Sequence, residues 1–281
     1  MTDVMGRTAF ITGGANGIGL GIARSLARSG AKLALADLDI GALERAKKEL
    51  QHLTQVETYR LDVRDRAGYA SVAAEAEKSL GPVSLLFNNA GVAPAIPVTK
   101  LSYELWDWSI GINLYGVING TQIFLRSMLD RGDGGHIVNT AADAGLAMAA
   151  PGVLYCTAKY GVVGMTESMH AELKRLGIGM SVLCPGYVTT GIVQRSADAA
   201  PPPQAPLTND QAQRASARLD QIDQRLQQGI SIDSVGDLVL QGVRDNCLYI
   251  HTDRMMEEPI LSRTAALIQA LPSINQHHGQ A

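Results

Sequence analysis

Short apolar runs alternate along the chain with longer segments of helical periodicity. The apolar runs that predict strands are residues 8–11, 32–36, 57–61, 83–87, 136–139, 180–183 and 248–250. The segments that predict helices lie near residues 17–29, 40–51, 66–80, 103–130, 153–176 and 233–245. Strands that are apolar throughout are buried on both faces, as in a parallel sheet covered by helices. The pattern therefore predicts an α/β fold with a single doubly wound domain, in which helices flank a mostly parallel sheet of seven strands.

The alternation predicts one domain over residues 1–250, followed by a C-terminal helix and a flexible tail over residues 251–281. Residues 186–231 form a connection much longer than is usual in such a fold. They include the proline-rich run 199–206, which a helix interior cannot hold. A helix with one narrow apolar face is predicted after it, over 209–228. Two interpretations stay open for this segment: a helix packed on the body, or a mobile lid over a substrate pocket.

Composition excludes several classes of function. The chain has 281 residues, of which 46% are hydrophobic, and a net charge of −3. It is too apolar for intrinsic disorder, and it has no basic surplus for nucleic acid or for an anionic membrane. Its three cysteines, Cys156, Cys184 and Cys247, show no metal-ligand spacing and predict neither a metal site nor a disulfide framework. Residues 1–7 are polar and do not resemble a leader, and the sequence has no run of 18 apolar residues, so we expect a cytoplasmic protein without a membrane span.

A glycine-rich turn, Thr12-Gly13-Gly14-Ala15-Asn16-Gly17-Ile18-Gly19, follows the first predicted strand and opens the first predicted helix. Glycines at these positions allow a sharp turn and a close ligand approach, and the helix N-terminus favours a pyrophosphate. Asp37 ends the second strand, where a carboxylate accepts hydrogen bonds from an adenine ribose and repels a 2′-phosphate. The pattern predicts NAD rather than NADP. The alternatives are a purely structural turn and an Asp37 that merely caps the next helix.

Tyr155 and Lys159 are four residues apart on a predicted helix and therefore share a face. A nearby ammonium favours the phenolate, which could take the proton of a secondary alcohol while a hydride leaves. Lowering the phenol pKa by about three units requires roughly 4 kcal/mol. One cation about 4 Å away supplies that energy at an effective dielectric constant of about 20. We therefore expect Lys159 to lower the pKa of Tyr155.

Together these motifs resemble the short-chain dehydrogenase/reductase family, in its subgroup with subunits of about 250 residues. The resemblance rests on the glycine turn, on Asn88-Asn89-Ala90-Gly91, on Tyr155-Cys156-Thr157-Ala158-Lys159, and on Pro185-Gly186. It covers roughly residues 5–250. It implies a Rossmann fold and an NAD-dependent oxidoreductase that interconverts a secondary alcohol and a ketone, with Tyr155 as the acid/base.

The resemblance also implies a set of site residues. In the family, the residue at the position of Asp62 contacts the adenine. The residues at the positions of Val188 and Thr190 contact the nicotinamide carboxamide. Asn113 matches the asparagine that holds a water in a proton relay, and Lys159 matches the lysine that binds the nicotinamide ribose. The full set of implied cofactor contacts is Gly13, Asn16, Gly17, Ile18, Gly19, Asp37, Asp62, Val63, Asn89, Ala90, Gly91, Tyr155, Lys159, Pro185, Gly186, Val188 and Thr190.

One position departs from the family pattern. Ala142 stands where the family usually has its catalytic serine, so the hydroxyl that would bind the substrate carbonyl is missing. Losing one such donor costs about 2.7–4 kcal/mol of transition-state stabilisation. Thr140, Asp143 or a water could substitute, although an ionised Asp143 cannot donate a hydrogen bond. Otherwise the enzyme is slow, or the chain is a natural or engineered disabled variant, or it is an NAD-binding sensor or scaffold.

The expected substrate pocket adjoins the nicotinamide at the carboxyl ends of the strands. Its candidate walls are mostly apolar and predict a neutral, hydrophobic secondary alcohol or ketone, cyclic or aromatic. These walls are residues 93–96, 144–152, 187 and 191–230. Helices 103–130 and 153–176 carry apolar residues on more than one face, which favours subunit contacts. With the family resemblance, this predicts a homotetramer or a homodimer.

Overall fold

The computed structural model of the protein describes residues 2–148, 152–202 and 208–272. Seven strands form a single sheet in the order β3-β2-β1-β4-β5-β6-β7, and every neighbouring pair is parallel. The strands are β1 (Thr8–Thr12), β2 (Lys32–Asp37), β3 (Val56–Arg60), β4 (Val83–Asn88), β5 (Gly135–Thr140), β6 (Ile178–Cys184) and β7 (Tyr249–His251). The predicted doubly wound α/β fold is confirmed, and the described sheet is parallel throughout rather than mostly so.

Helices cover both faces of this sheet. They are α1 (Gly17–Arg28), α2 (Ile40–Leu50), α3 (Arg66–Leu80), α4 (Tyr103–Ile110), α5 (Gly116–Arg131), α6 (Val153–Arg175), α7 (Ile192–Ala199), α8 (Asn209–Gln227), α9 (Ile232–Asp245) and α10 (Glu257–Gln269). The pattern predicted one helix over 103–130, but a π-helical turn at Gly111–Tyr115 divides it into α4 and α5. In the described ranges, no helix is long and apolar enough to cross a membrane.

Side chains of the central strands alternate between two apolar layers. On β1, Ile11 packs with α1 and α9 on one face of the sheet, whereas Phe10 packs with α3 and α5 on the other. Phe87 and Leu86 of β4 divide between the same two layers. Burying a side chain of this size stabilises the fold by about 1.5–3 kcal/mol. Because both faces are covered, these strands are apolar at successive positions, which is the pattern seen in the sequence.

The direction of strand addition reverses beside β1. From β1 the chain adds β2 and β3 on one side and then returns to add β4 to β7 on the other. The loops after β1 and β4 therefore diverge at their carboxyl ends and leave a crevice, which is where doubly wound proteins bind ligands. This topology brings together residues that are far apart in the sequence.

The long connection between β6 and α9 contains two helices rather than one. The structure has α8 where the sequence predicts a helix, whereas α7 was not predicted. No residue of α8 is buried, so this helix does not pack into the core. Its N-terminus is closed by a capping box between Thr208 and Gln211. Residues 203–207, which include the end of the proline-rich run, and residues 273–281, which end the predicted tail, lie outside the described residues.

Candidate active site

A cavity of about 460 Å³ lies at the carboxyl ends of the strands. Most of the predicted site residues line it, although they come from seven separate parts of the chain. These are Gly13, Asn16, Gly17, Ile18, Asp37, Asp62, Val63, Asn89, Ala90, Gly91, Asn113, Tyr155, Lys159, Pro185 and Thr190. The cavity therefore joins the glycine turn, the end of β2, the loops after β3 and β4, the π-helical turn, the helix α6 and the loop after β6.

The glycine turn has the backbone that its sequence requires. Gly13 and Gly17 have φ angles of +62° and +50°, which residues with a side chain rarely adopt. A Cβ on Gly19 would overlap the carbonyl oxygen of Gly13. Gly19 thus lets α1 pack closely on the turn but does not itself line the cavity. The turn leaves the N-terminus of α1 open towards the cavity, where its amides can bind an anion.

Asp37 links the end of β2 to the glycine turn. Its carboxylate accepts hydrogen bonds from the amides of Ala15, at 3.3 Å, and Asp39, at 3.2 Å. Burial raises the pKa of the Asp37 carboxyl, and these amides offset part of the rise. The cap of α2 is Asp39, whose side chain accepts the Ala42 amide at 2.9 Å. Asp37 is therefore not a helix cap and stands at the cavity wall.

Carboxylates are concentrated in this part of the cavity. Asp39 and Asp198 line it together with Asp37 and Asp62. Asp62 forms a two-pronged ion pair with Arg64, with an Nη2–Oδ2 distance of 2.7 Å. The hydrogen bonds from Arg64 lower the pKa of the Asp62 carboxyl. A 2′-phosphate on the adenine ribose would meet this negative charge, whereas ribose hydroxyls would find acceptors.

Tyr155 and Lys159 project from the first turns of α6 at the opposite part of the cavity. The Nζ atom of Lys159 lies 5.6 Å from the centroid of the Tyr155 ring. It donates a hydrogen bond to the carbonyl oxygen of Thr140 at 2.8 Å and is buried. A Cβ on Gly91 would lie 3.6 Å from this Nζ. The helix therefore aims the phenol and the amine at one wall, as the spacing predicts.

The electrostatics of this pair differ from the expectation. Burial raises the pKa of Tyr155 well above its usual value, and the nearby Asp143 and Cys156 add to the rise. Burial also lowers the pKa of Lys159 to about 8. The predicted lowering of the phenol pKa by the ammonium is thus wrong for this state of the protein. The amine is directed at a backbone carbonyl, and one cation does not offset the loss of solvent around both groups.

Asn113 lies in the π-helical turn between α4 and α5 and is fully buried. Its Oδ1 accepts the amide of Val92 and its Nδ2 donates to the carbonyl of Val92, both at 3.0 Å. A weaker bond joins Nδ2 to Ser109 at 3.4 Å. π-Helical turns occur mostly at functional sites. Here the turn lets the amide hold the loop after β4 against the helix, while its part in a proton relay stays a prediction.

Four predicted site residues lie outside the cavity lining. They are Gly19, Ala142, Gly186 and Val188. Ala142 is 2% exposed, at the point where β5 leads into a short 3-10 turn. Gly186 donates its amide to Thr252, and Val188 is buried in the core and bridged to Ile230. Contacts of these residues with a ligand stay predictions.

Sequence reasoning placed residues 191–230 at the substrate pocket, but it did not predict the helix α7 or its place along the predicted cofactor site. Ile192, Arg195, Ser196, Asp198 and Ala199 all border the cavity. The signal for this helix was present, because Ile192, Val193 and Ser196 recur at the spacing of one helical face. It was obscured by the prolines that follow. Among the described residues, no group of three or more His, Cys, Asp or Glu side chains could hold a metal ion.

Comparison with known proteins identifies the class. A family model described as short chain dehydrogenase matches residues 7–200. A C alpha-dehydrogenase of Sphingobium sp. strain SYK-6 is 34% identical over 273 residues, which cover 96% of this chain and 88% of that protein. A 3beta-hydroxysteroid dehydrogenase 2 of Eggerthella lenta is 33% identical over 189 residues, covering 66% and 73% of the two chains. The protein belongs to the short-chain dehydrogenase family, and these relatives are oxidoreductases.

A solved structure agrees with this assignment. A short-chain dehydrogenase/reductase from Burkholderia phymatum, solved in complex with NAD, superimposes with a TM-score of 0.89. It is 32% identical in sequence, and the match covers 97% of this chain and 98% of that one. The predicted family is thereby confirmed, and the cofactor class that the sequence predicts is the one held by this neighbour.

Proposed function

We propose that the protein is an NAD-dependent oxidoreductase that transfers a hydride between a nicotinamide and a secondary alcohol or ketone. The observation that supports this proposal most strongly is that the glycine turn, Asp37 and the Tyr155–Lys159 pair all line one cavity. The glycine turn and Asp37 suit the adenosine diphosphate part of a dinucleotide. The Tyr155–Lys159 pair supplies a proton donor or acceptor in the same cavity.

The residues present fit NAD. The turn around Gly13 and Gly19 leaves no room for a Cβ, so its backbone can approach a pyrophosphate. Asp37 and its neighbouring carboxylates suit ribose hydroxyls and disfavour a 2′-phosphate. When bound, the nicotinamide would accept or supply the hydride. The neighbour solved with NAD supports the same cofactor here.

Tyr155 would move the proton that accompanies the hydride. Its raised pKa keeps the phenol protonated at neutral pH. The neutral phenol is ready to donate a proton to the oxygen of a ketone as that oxygen gains charge, which favours catalysis of reduction. In the direction of alcohol oxidation, Tyr155 must first lose its proton. The rate of oxidation should therefore rise with pH. Lys159 positions this part of the site through the carbonyl of Thr140.

Asp143 is the favoured substitute for the serine hydroxyl that Ala142 lacks. The hydroxyl of Thr140 donates to Asn89 at 3.5 Å and is thereby engaged. Asp143 is half-buried, and burial together with the charge of Asp253 raises the pKa of its carboxyl. The raised pKa increases the share of the protonated carboxyl, and only that form carries an O–H that can donate to a substrate oxygen, as the serine would.

The proposed substrate is a neutral, hydrophobic secondary alcohol or ketone with a ring. Of the expected walls, Ile192 lines the cavity, whereas Leu146 packs against the core and Met148 is 73% exposed. Apolar groups at this position favour a substrate without charge. The name of the Eggerthella relative refers to a hydroxysteroid, which is a cyclic alcohol, and supports this class.

We also propose a symmetric dimer or tetramer. Tyr103 on α4 is 86% exposed and Tyr115 in the π-helical turn is 48% exposed, so that this surface carries aromatic groups towards solvent. Light scattering after size exclusion would give the mass, and a mass of one subunit would contradict this assembly.

The activity is tested by mixing the protein with NAD and a panel of cyclic and aromatic secondary alcohols. Formation of reduced nicotinamide, followed by its absorbance, is expected for at least one of them. In the Ala142→Ser variant we expect turnover to rise, because the serine adds an oxyanion donor that does not depend on the protonation of Asp143. NAD binding without turnover in either protein would instead support a sensor or scaffold.

A further inference from the structure

Helix α7 crosses the mouth of the dinucleotide cavity. Thr190, just before it, lies beside the glycine turn, with its Cγ2 3.4 Å from the position that a Cβ on Gly17 would take. At its other end, Ala199 borders a second groove together with Leu38 and Asp62. The helix therefore extends from the phosphate-binding turn towards the carboxylates that would face the adenine ribose.

Buried contacts hold α7 in this position. Ser196 is 3% exposed, and its Oγ accepts the amide of Ala93 at 2.8 Å, which ties the helix to the loop after β4. Val193, one turn earlier, is 4% exposed. Packing and a hydrogen bond thus fix the position of this short helix at the cavity, and with it the position of its other side chains.

Arg195 directs its guanidinium towards the start of α1. Its Nη2 lies 3.5 Å from the position that a Cβ on Gly17 would take, and its Nη1 lies 2.9 Å from the corresponding position on Gly191. The first turn of α1 contains no acidic residue. The guanidinium and the first amides of α1 therefore border the same part of the cavity.

The charge of Arg195 has no partner on the described part of the chain. No carboxylate there lies within ion-pair distance of its guanidinium, and the carboxylate of Asp198 accepts instead from Gln194 at 2.7 Å. Lys159, the other lysine or arginine among the described residues of the lining, donates to Thr140 at the far end. A cation thus stands beside the open helix end, with the carboxylates further along the cavity.

We propose that Arg195 binds the diphosphate of the dinucleotide and so holds α7 closed over the bound cofactor. This inference rests on the proposed function, because it requires the cavity to take a dinucleotide. A guanidinium donates two parallel hydrogen bonds to phosphate oxygens, and the helix amides bind oxygens on the other side. The diphosphate is thereby clamped between a fixed turn on α1 and a side chain on α7.

The test compares ligands that contain and lack the diphosphate. Calorimetry would measure the binding of NAD, ADP and adenosine to the wild-type protein and to the Arg195→Gln and Arg195→Lys variants. Arg214→Gln is a matched control, because it removes the same charge from the neighbouring helix α8, where Arg214 pairs with Asp210 on the surface. Stopped-flow measurement of the release rate of reduced NAD would report on closure.

In Arg195→Gln we expect the affinities for NAD and ADP to fall about 10- to 100-fold, as when a charged hydrogen bond is lost. Adenosine binding should change less than about twofold, Arg195→Lys should recover part of the loss, and reduced NAD should dissociate faster. Arg214→Gln should behave like the wild type.

Two outcomes would overturn the inference while leaving the proposed function intact. They are an unchanged NAD affinity in Arg195→Gln and an equal loss of affinity for adenosine. A wild-type protein that binds neither NAD nor ADP would overturn the proposed function and this inference together.

Discussion

The two ends of the cavity hold their polar groups in opposite ways. At the adenine end, Asp37 and Asp62 remain partly exposed and are satisfied by backbone amides or by an arginine within a few residues. At the catalytic end, Tyr155 and Lys159 lose solvent without forming an ion pair, and burial shifts both pKa values towards the neutral forms. In the proposed function, the first end therefore suits cofactor binding, whereas the second suits the transfer of a proton.

The strongest test of this contrast is the Tyr155→Phe substitution. We expect kcat to fall by about 10²- to 10⁴-fold, because the acid/base group is removed. The affinity for NAD, measured by calorimetry, should stay within about threefold of the wild-type value, because the phenol hydroxyl contributes little to cofactor binding. An activity within tenfold of the wild type would remove Tyr155 from the mechanism.

At the other end, Asp37→Ala should affect binding. We expect the affinity for NAD to fall about 10- to 100-fold through loss of charge-assisted hydrogen bonds to the ribose. The affinity for NADP should fall less or rise, because a repelling carboxylate is gone. Titration of both cofactors measures this, with kcat at saturating NAD as the control. Equal affinity of the wild type for NAD and NADP would contradict the role of the carboxylate.

The two ends should also differ in their response to pH. Because the pKa of Tyr155 is raised, kcat for alcohol oxidation should rise by nearly tenfold per unit between about pH 6 and pH 9. NAD affinity should be nearly constant over this range. A profile of kcat against pH, beside calorimetry at the same pH values, separates the two. A plateau in kcat at neutral pH would show that the bound state lowers the phenol pKa.

Asp143 provides a sharper version of the same experiment. The ionised form of Asp143 adds to the raised pKa of Tyr155, so Asp143→Asn, which cannot ionise, should shift the pH profile of oxidation towards lower pH. The amide can still donate a hydrogen bond, and kcat on the plateau of the profile should be retained. Asp143→Ala should lower kcat by about 10²-fold. Equal rates in the Asn and Ala variants would exclude Asp143 as the donor.

The smallest effect is expected for Arg64→Gln. The Arg64–Asp62 pair is partly exposed, with side chains 46% and 31% accessible. Such pairs stabilise proteins by about 0–1 kcal/mol, so chemical denaturation should show a change within that range. NAD affinity should change less than about threefold. A larger loss of NAD affinity would mean that Arg64 orients the Asp62 carboxylate for contact with the adenine, and does not merely pair with it.

The contrast also explains what sequence reasoning could predict. The glycine turn and Asp37 are set by local geometry within consecutive strands and helices, and their positions were predicted correctly. The pKa of Tyr155 depends on burial by residues distant in sequence, so spacing alone predicted the wrong direction for it. The π-helical turn at Asn113 and the contribution of Arg195 depend likewise on tertiary contacts, and no local pattern encodes them.

The bridge between Val188 and Ile230 joins the two ends of the segment that carries α7 and α8. Two backbone hydrogen bonds hold these ends together: the Thr189 amide donates to the Ile230 carbonyl at 3.0 Å, and the Ile230 amide donates to the Tyr187 carbonyl at 3.1 Å. The segment thus begins and ends at one place on the body. Its helix α8 has no buried residue, so this helix can be lengthened, shortened or replaced without changing the sheet, because loop length adds little to the entropic cost of closure. A new substrate preference could therefore evolve in α8 while α7 and the lining of the cofactor cavity stay as they are.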